Sequence, residues 1–164
     1  MRYELIMWLY QPVKYLPGRL GAWIRNLVMP YQRRGVVYVM DGVQIDKPSL
    51  LSFGNNVSVN RGCVINAGGG VDIGDNVLIG PNVIIYSQNH EYREPGRPFC
   101  EQGYVLKRTV IGSNVWLASS CIVLPGVVIG ENVVVAAGAV LTNSVRNDVV
   151  VAGNPARVIK NLRT

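Results

Sequence analysis

The chain has 164 residues, of which 49% are hydrophobic and 16% are charged, and its net charge is +6. This length predicts one domain that buries a core, and the composition excludes a disordered chain, in which the hydrophobic fraction would be lower. Three cysteines give no disulfide framework, so we expect a reducing, cytoplasmic setting. A single histidine and three scattered cysteines lack the spacing of metal ligands, and we expect no metal.

Residues 1–35 carry most of the positive charge, because six Arg or Lys residues stand there against Glu4 alone and give +5 of the total +6. Such a basic segment indicates an acidic partner, either a membrane face or nucleic acid. No nucleic-acid motif or distributed basic stripe accompanies it, so a membrane is the favoured partner and nucleic acid is not expected. No secretory signal is evident, since Gln11 and Lys14 interrupt the first apolar run and no small-residue cleavage site follows.

The same segment is rich in Trp, Tyr and aliphatic side chains. Its longest uncharged run, residues 5–13, is too short to cross a bilayer, and we predict two short helices broken around Pro12 and Pro17. One interpretation is that residues 1–30 lie on a membrane surface, and another is that the helices cap one end of the fold that follows. Both can hold, because interfacial and capping helices share an apolar stripe.

Residues 111–146 consist of six-residue units in one register: IGSNVW LASSCI VLPGVV IGENVV VAAGAV LTNSVR. The first and fifth positions of every unit are small or aliphatic. A period of six fits neither the 3.6-residue period of a helix nor the alternation of a strand. Short strands separated by turns, each with an aliphatic residue inward, predict an all-β parallel solenoid. The same register occurs in residues 53–66 and 73–86, and a first, irregular coil begins near residue 36.

Two segments interrupt the repeat. Residues 67–72 hold two residues too many and contain a run of three glycines, whereas residues 86–109 abandon the pattern and carry the only histidine, His90. Insertions in a solenoid become surface loops, and a long polar loop on a regular scaffold is more often functional than not. We therefore predict a helical segment at 1–35, a solenoid at 36–155 with an extruded loop at 86–109, and a basic tail at 156–164.

The units IGDNVLIGPNVIIY, IGSNVWLASS and VVIGENVVVAAGAVLT, with the ending AGNPARVIK, resemble the hexapeptide-repeat acyltransferases. The similarity is greatest to the branch of galactoside, maltose and cell-surface polysaccharide O-acetyltransferases, and it extends from residue 53 to the end. The resemblance implies a left-handed parallel β-helix and a homotrimer with active sites between neighbouring subunits. It also implies acetyl-coenzyme A as the acyl donor.

The resemblance gives His90 the role of general base, at the point where the solenoid gives way to the loop. An imidazole suits this role, because it titrates near neutral pH and can take the proton of a sugar hydroxyl that attacks a thioester. Asn60, which the resemblance implies is contributed across the trimer interface, and Asn89 are the expected substrate-binding residues. The alternative for Asn60 is a turn residue, which Asn often is in these repeats. Galactoside-type members carry an Asp in the next coil, where this chain has the three glycines.

The resemblance places coenzyme A in a groove between adjacent solenoids. Small residues would let the pantetheine arm lie against the wall, and basic side chains would contact the phosphates. The alternative is that the small residues only pack and that the basic ones are solvated. The positions that match the family's donor site are Trp116, Ser119, Ala137, Thr142, Arg157 and Lys160.

Catalysis through a cysteine nucleophile is disfavoured. The register turns Cys63 and Cys121 inward, where a thiol is inert, and Cys100 in the loop has no second histidine to activate it. Direct transfer from donor to acceptor is therefore expected.

Together these features predict an acetyl-coenzyme-A-dependent sugar O-acetyltransferase with His90 as general base. The basic N-terminal segment favours an acceptor at the inner face of the membrane, either a cell-surface polysaccharide or its lipid-linked precursor. N-acetylation of a nucleotide-linked amino sugar would look nearly the same in sequence. A non-catalytic β-helix scaffold is a third interpretation, and the presence of His90 and Trp116 argues against it.

Overall fold

The computed structural model describes residues 2–163, apart from the side chains of Arg2, Tyr3 and Met7. Two helices come first, α1 (Arg2–Lys14) and α2 (Gly18–Val28). Pro12 lies inside α1 rather than at a break, two residues before the helix ends, where its ring removes a single backbone hydrogen bond. Of the helices in residues 2–163, none is both long and apolar enough to cross a membrane.

The rest of the described chain winds into five complete coils and the start of a sixth, with three short strands in each complete coil. The first three coils contain β1 (Gln32–Arg33), β2 (Val37–Val39), β3 (Gln44–Asp46), β4 (Leu51–Phe53), β5 (Val57–Val59), β6 (Val64–Asn66), β7 (Val71–Ile73), β8 (Leu78–Ile79) and β9 (Ile84–Tyr86). A hairpin of β10 (Gln88–His90) and β11 (Tyr104–Leu106) then leaves the solenoid. The last coils contain β12 (Thr109–Ile111), β13 (Val115–Leu117), β14 (Ile122–Val123), β15 (Val128–Ile129), β16 (Val133–Val135), β17 (Val140–Leu141) and β18 (Val149–Ala152), and β19 (Arg157–Asn161) follows. Two 3-10 turns, Pro48–Leu50 and Phe99–Glu101, complete the regular structure.

Corresponding strands of successive coils pair in parallel and form the three faces of a prism. Face one contains β1, β4, β7, β12 and β15; face two contains β2, β5, β8, β13, β16 and β18; face three contains β3, β6, β9, β14 and β17. The pairing keeps the predicted register, since Ile65, Ile85, Val123 and Leu141 align along face three. The predicted all-β parallel solenoid, with helices before it and one extruded loop, is confirmed.

The first and fifth positions of the six-residue units fill the interior of the prism. They are buried in every unit from residue 111 onward except at Val145, which is only partly buried where the last coil opens. Each buried aliphatic side chain contributes about 1.5–3 kcal/mol relative to an exposed one. Because strand side chains alternate between faces, a shift of one residue would expose the whole interior row, so the pattern determines the register.

Asparagines line one edge of the prism in the left-handed conformation. Asn56, Asn76, Asn114 and Asn132 have φ between 54° and 57°, a region that Asn tolerates better than most residues. Their side chains also join successive coils, since Asn56 Nδ2 donates to Asn76 Oδ1 at 2.8 Å and Asn114 Nδ2 to Asn132 Oδ1 at 2.7 Å.

The two-residue insertion at 67–72 packs against the stems of the extruded loop and does not form a loop of its own. A Cβ on Gly69 would lie 2.2 Å from the Ser87 carbonyl oxygen and 2.7 Å from the Lys107 nitrogen, so only glycine fits between the two stems. Ser87 is buried and ties the pieces together, because its hydroxyl accepts from the Gly69 N–H at 2.9 Å and donates to the Asn66 carbonyl at 2.8 Å.

Both ends of the chain differ from the boundaries expected from the sequence. Strand β1 lies within the range 1–35 that we assigned to the helical segment, because its two residues pair with β4. The range 156–164, expected to be a tail, contains β19, which pairs antiparallel with β18 and covers the last edge of face two.

Candidate functional site

His90 lies exposed on β10, directly opposite Tyr104 on β11. The centroids of the two rings are 4.6 Å apart and the rings are tilted by 39°. Asn89 is held beside them, since its Oδ1 accepts a hydrogen bond from the His90 backbone N–H at 3.0 Å. The imidazole opens on a cavity of about 370 Å³, called the His90 cavity here, which is lined by Asn66, Tyr86, Gln88, Asn89, His90, Tyr104, Leu124 and Pro125.

The solenoid holds both stems of the hairpin that carries His90. The Lys107 N–H donates to the Ser87 carbonyl at 2.8 Å, and the buried Thr109 hydroxyl donates to the Tyr86 carbonyl at 2.7 Å. Within the hairpin, the Glu91 N–H donates to the Gly103 carbonyl at 3.1 Å. The imidazole is therefore presented from a fixed position at the corner between faces three and one.

A second cavity, of about 670 Å³, lies along face two and the corner between faces two and three. Half-exposed Trp116 forms one wall of this Trp116 cavity, and the other wall is built from Gly80, Ala118 and Ala136, which stack in successive coils. Gly80 leaves little room for a side chain, as a Cβ there would lie 2.9 Å from the Ser119 nitrogen. The result is a smooth groove of small residues beside an indole ring.

The structure brings some of the predicted site residues together in each cavity. Asn60, Trp116, Ser119 and Ala137 all line the Trp116 cavity, whereas Asn89 lies with His90. Asn60 therefore lies in the Trp116 cavity of its own chain and not beside His90.

The remaining predicted donor residues lie outside the Trp116 cavity. Thr142 is exposed at the corner of faces three and one. It occupies the same position in the fifth coil that Leu124, a residue of the His90 cavity, occupies in the fourth. Arg157 pairs with Ala152, one coil beyond Ala136, and so lies at the end of the groove. Lys160 pairs with Val150, which lies two coils beyond Trp116 in the outward row of face two, after Val134.

The two cavities share no lining residue and lie at opposite edges of face three. In the fourth coil, Ser119 lies at the edge shared with face two and Leu124 at the edge shared with face one. A single chain therefore does not combine His90 and the small-residue groove in one cavity.

Sequence reasoning missed Tyr104, which faces His90. Because residues 86–109 do not follow the repeat, nothing in the spacing indicates which residues of the loop pair with each other. A weaker signal is present, since Tyr104-Val105-Leu106 after Gly103 is a short strand pattern that ends where the solenoid resumes.

The cysteines lie as the repeat predicts. Burial raises the pKa of Cys63 to about 11 and that of Cys121 to about 12, so both remain thiols at neutral pH. Cys100 is exposed in the loop.

Comparison with known proteins assigns the chain to a family. Residues 108–143 match the family "Bacterial transferase hexapeptide (six repeats)". The chain is 36% identical over 127 residues to the putative lipopolysaccharide biosynthesis O-acetyl transferase WbbJ of Escherichia coli K12, a match that covers 77% of this chain and 61% of that protein. The chain thus spans less than two thirds of the length of that relative.

Solved structures give the same assignment over nearly the whole chain. Galactoside acetyltransferase in complex with coenzyme A is 30% identical, with a TM-score of 0.86, and the match covers 99% of this chain and 80% of that one. A hexapeptide-repeat acetyltransferase of Vibrio cholerae O1, complexed with acetyl coenzyme A, is 26% identical with a TM-score of 0.86, covering 97% and 86%.

The fold is therefore the left-handed parallel β-helix of acetyltransferases, as the resemblance implied. The chain belongs to the hexapeptide-repeat acyltransferase family.

Proposed function

We propose that this chain is an acetyl-coenzyme-A-dependent O-acetyltransferase that acts on a sugar hydroxyl, with His90 as general base. The observation that carries the proposal is the exposed imidazole of His90, held on an anchored hairpin over a cavity walled by amides and tyrosines. The presence of acetyl coenzyme A or coenzyme A in the related structures supports the donor.

The His90 cavity suits a carbohydrate acceptor. The amides of Asn66, Gln88 and Asn89 can both donate to and accept from hydroxyl groups, and such convergent polar groups orient a ligand. Tyr86 and Tyr104 offer ring faces, whose negative potential attracts the C–H groups on the apolar side of a sugar ring.

The Trp116 cavity suits the donor. An extended pantetheine arm fits a groove lined by Ser119 and Ala137, where no long side chain intervenes, and the indole of Trp116 provides an apolar contact. Arg157 and Lys160, beyond one end of the groove, would contact the phosphates of coenzyme A.

The complete site forms between chains of a homotrimer in this proposal. The support is that His90 and the donor groove lie at different edges of face three, so that a neighbouring chain has to supply the missing half. Thr142 lies near His90 in its own chain, and it would then contact a donor bound to the neighbour's groove. Closed rotational symmetry is the usual arrangement of soluble oligomers.

Transfer is direct. The hydroxyl oxygen attacks the thioester carbonyl while His90 takes the hydroxyl proton, a C–O bond forms and the C–S bond breaks, and the imidazolium returns the proton to the leaving thiolate. The products are an acetyl ester and coenzyme A. No cysteine is needed, in agreement with the raised pKa of the buried thiols of Cys63 and Cys121.

The test is an acceptor screen with acetyl-coenzyme A, in which release of the free coenzyme A thiol is measured and the product is then treated with mild alkali. Sugars and lipid-linked sugars are compared with nucleotide-linked amino sugars. An alkali-labile acetyl group on a sugar is expected, because esters hydrolyse and amides resist. An alkali-stable acetyl group would replace the proposal with N-acetylation, and absence of transfer to every acceptor would favour a non-catalytic scaffold.

A further inference from the structure

Helices α1 and α2 are apolar on two opposite sides. The inward side of α1 carries Tyr10, which is buried against the first coil, and the inward side of α2 carries Ala22 and Arg25, also buried. The outward side is exposed even though it holds large apolar residues. These residues, called the outer cap face, are Leu5, Trp8, Leu9, Leu20, Trp23 and Leu27.

The inward side alone accounts for capping. The Tyr10 hydroxyl donates to the Val43 carbonyl at 2.6 Å. Arg25, with 0% exposure, donates to the Val39 carbonyl at 2.9 Å and to the Leu16 carbonyl at 2.7 Å, which joins α2 both to the solenoid and to the connection between the helices. Capping therefore explains one side of the helices and leaves the outer cap face unexplained.

The residues of the outer cap face have the spacing of an apolar stripe along each helix. Leu5, Trp8 and Leu9 recur at helical spacing on α1, and Leu20, Trp23 and Leu27 do so on α2. Trp8 is 78% exposed and Trp23 60%. Soluble proteins rarely expose large apolar side chains at regular spacing on neighbouring helices unless that surface binds something.

Basic residues adjoin this face. A cavity of about 430 Å³ opens beside Trp23, and Arg19 and Arg33 both line it together with Asn26 and Asn55. Asn26 and Asn55 are engaged within the protein, since Asn26 Nδ2 donates to the Val37 carbonyl at 2.8 Å and Asn55 Oδ1 accepts from the Val36 N–H at 2.9 Å. The two guanidinium groups beside an indole ring match a phosphate-bearing headgroup at the edge of an apolar layer. Arg25, the other arginine of α2, cannot contact a headgroup, because it is buried inside the cap.

We propose that the outer cap face docks on an anionic phospholipid membrane, with the indoles at the interface and Arg19 and Arg33 on headgroup phosphates. The charge of the face favours this partner, since residues 1–35 hold a single acidic residue, Glu4. Few charges give reversible attachment rather than permanent anchoring.

Docking in this orientation also indicates where the acceptor lies, an inference that rests on the proposed function. The cap adjoins the first coil, and the residues of the His90 cavity come from the second, third and fourth coils. With about 4.8 Å between coils, His90 would stand roughly 10–15 Å above the first coil, and the cap helices add about 10 Å between that coil and the membrane. A sugar attached to a lipid would therefore have to extend roughly 20–25 Å from the bilayer to reach His90. In a trimer with its axis along the solenoid, three caps would face the membrane together and bind with multivalent strength.

The experiment is co-sedimentation of the full-length protein with vesicles of phosphatidylcholine alone or with 30% phosphatidylglycerol, at about 50 and 500 mM salt. Trp8→Ser with Trp23→Ser removes the indoles, and Arg19→Gln with Arg33→Gln removes the charges. A matched control, Tyr92→Ser with Phe99→Ser, removes two side chains of 63% and 67% exposure from the extruded loop. Transfer to a water-soluble acceptor and thermal unfolding are measured for every cap variant.

We expect the wild-type protein to bind the anionic vesicles at low salt and to be released at high salt. The affinity for these vesicles should fall at least about tenfold in the indole variant and about fivefold for each removed charge, and it should not change in the control. Activity on the soluble acceptor stays unchanged in the cap variants, which separates this proposal from the proposed function. Wild-type protein that remains in the supernatant at low salt overturns the proposal, as does an indole variant that binds like wild type. A smaller oligomer for the indole variant in sedimentation velocity would instead identify a second copy as the occupant and would also overturn it.

Discussion

His90 and Tyr104 face each other across a two-stranded hairpin, with their ring centroids 4.6 Å apart. The contact fixes one side of the imidazole and leaves the tyrosine ring exposed toward the cavity that we assign to the acceptor. Tyr104 thus contacts the proposed base and also lines the proposed acceptor site.

Replacing Tyr104 by alanine should raise the acceptor KM about threefold to tenfold, since an aromatic contact is worth about 0.5–1.5 kcal/mol. The donor KM should change less than the acceptor KM, because the groove that we assign to the pantetheine arm is the Trp116 cavity of the neighbouring chain, which Tyr104 does not line. Tyr104→Phe keeps the ring and serves as the control, with values near wild type. Equal acceptor KM values for Tyr104→Ala and wild type would remove this residue from the site.

Replacing His90 by alanine should lower kcat by about 10²–10⁴ and leave the affinity for coenzyme A unchanged, which is the pattern of a lost general base. The affinity is measured by titration of the variant with coenzyme A. Turnover near the wild-type value would exclude His90 as the base.

Replacing Arg157 and Lys160 together by alanine should weaken donor binding by roughly 1–3 kcal/mol for each charge-assisted contact. Binding can be followed by the quenching of Trp116, with Trp8 and Trp23 replaced to leave one indole signal. Arg146→Ala, which removes an exposed arginine that donates to Asn161, is the matched control. Unchanged affinity in the double variant would place the phosphates elsewhere.

Replacing Gly69 by alanine should disturb the seat of the His90 hairpin, because the new methyl group would lie 2.2 Å from the Ser87 carbonyl oxygen. We expect a loss of about 1–3 kcal/mol in stability from overpacking, together with reduced kcat. Gly96→Asn is the control, since nothing lies within 4 Å of that position and Asn tolerates its positive φ. Denaturant unfolding and steady-state rates measure both effects, and a variant as stable and active as wild type would contradict this role of Gly69.

The sequence predicts the solenoid in detail because every six-residue unit obeys the same constraint, namely that its inward residues are apolar. Each inward position, such as Ile85 or Leu117, meets the same position of the next coil, so periodicity alone determines face and register. His90 could be proposed as the base from the family resemblance, and it is the only histidine and stands where the period stops.

Features outside the repeat could not be predicted in the same way. The burial of Arg25 depends on carbonyls at Val39 and Leu16 that only the folded cap brings together. The pairing of His90 with Tyr104 depends on a hairpin without periodicity, and the strand at Arg157–Asn161 depends on an edge left open by β18.

The central claim is that one chain supplies His90 and its neighbour supplies the donor groove, and mixing two inactive variants tests it most directly. His90→Ala leaves the groove intact, and Ala137→Trp blocks the groove at an exposed position while leaving His90 intact. The two proteins are unfolded together, refolded as an equal mixture and assayed beside each variant refolded alone. Random trimers should recover about a quarter of wild-type turnover per chain, because three quarters of them are mixed and each mixed trimer has one intact site of three. Activity no greater than the average of the separate variants, in a mixture shown to contain mixed trimers, would mean that each chain builds its site alone.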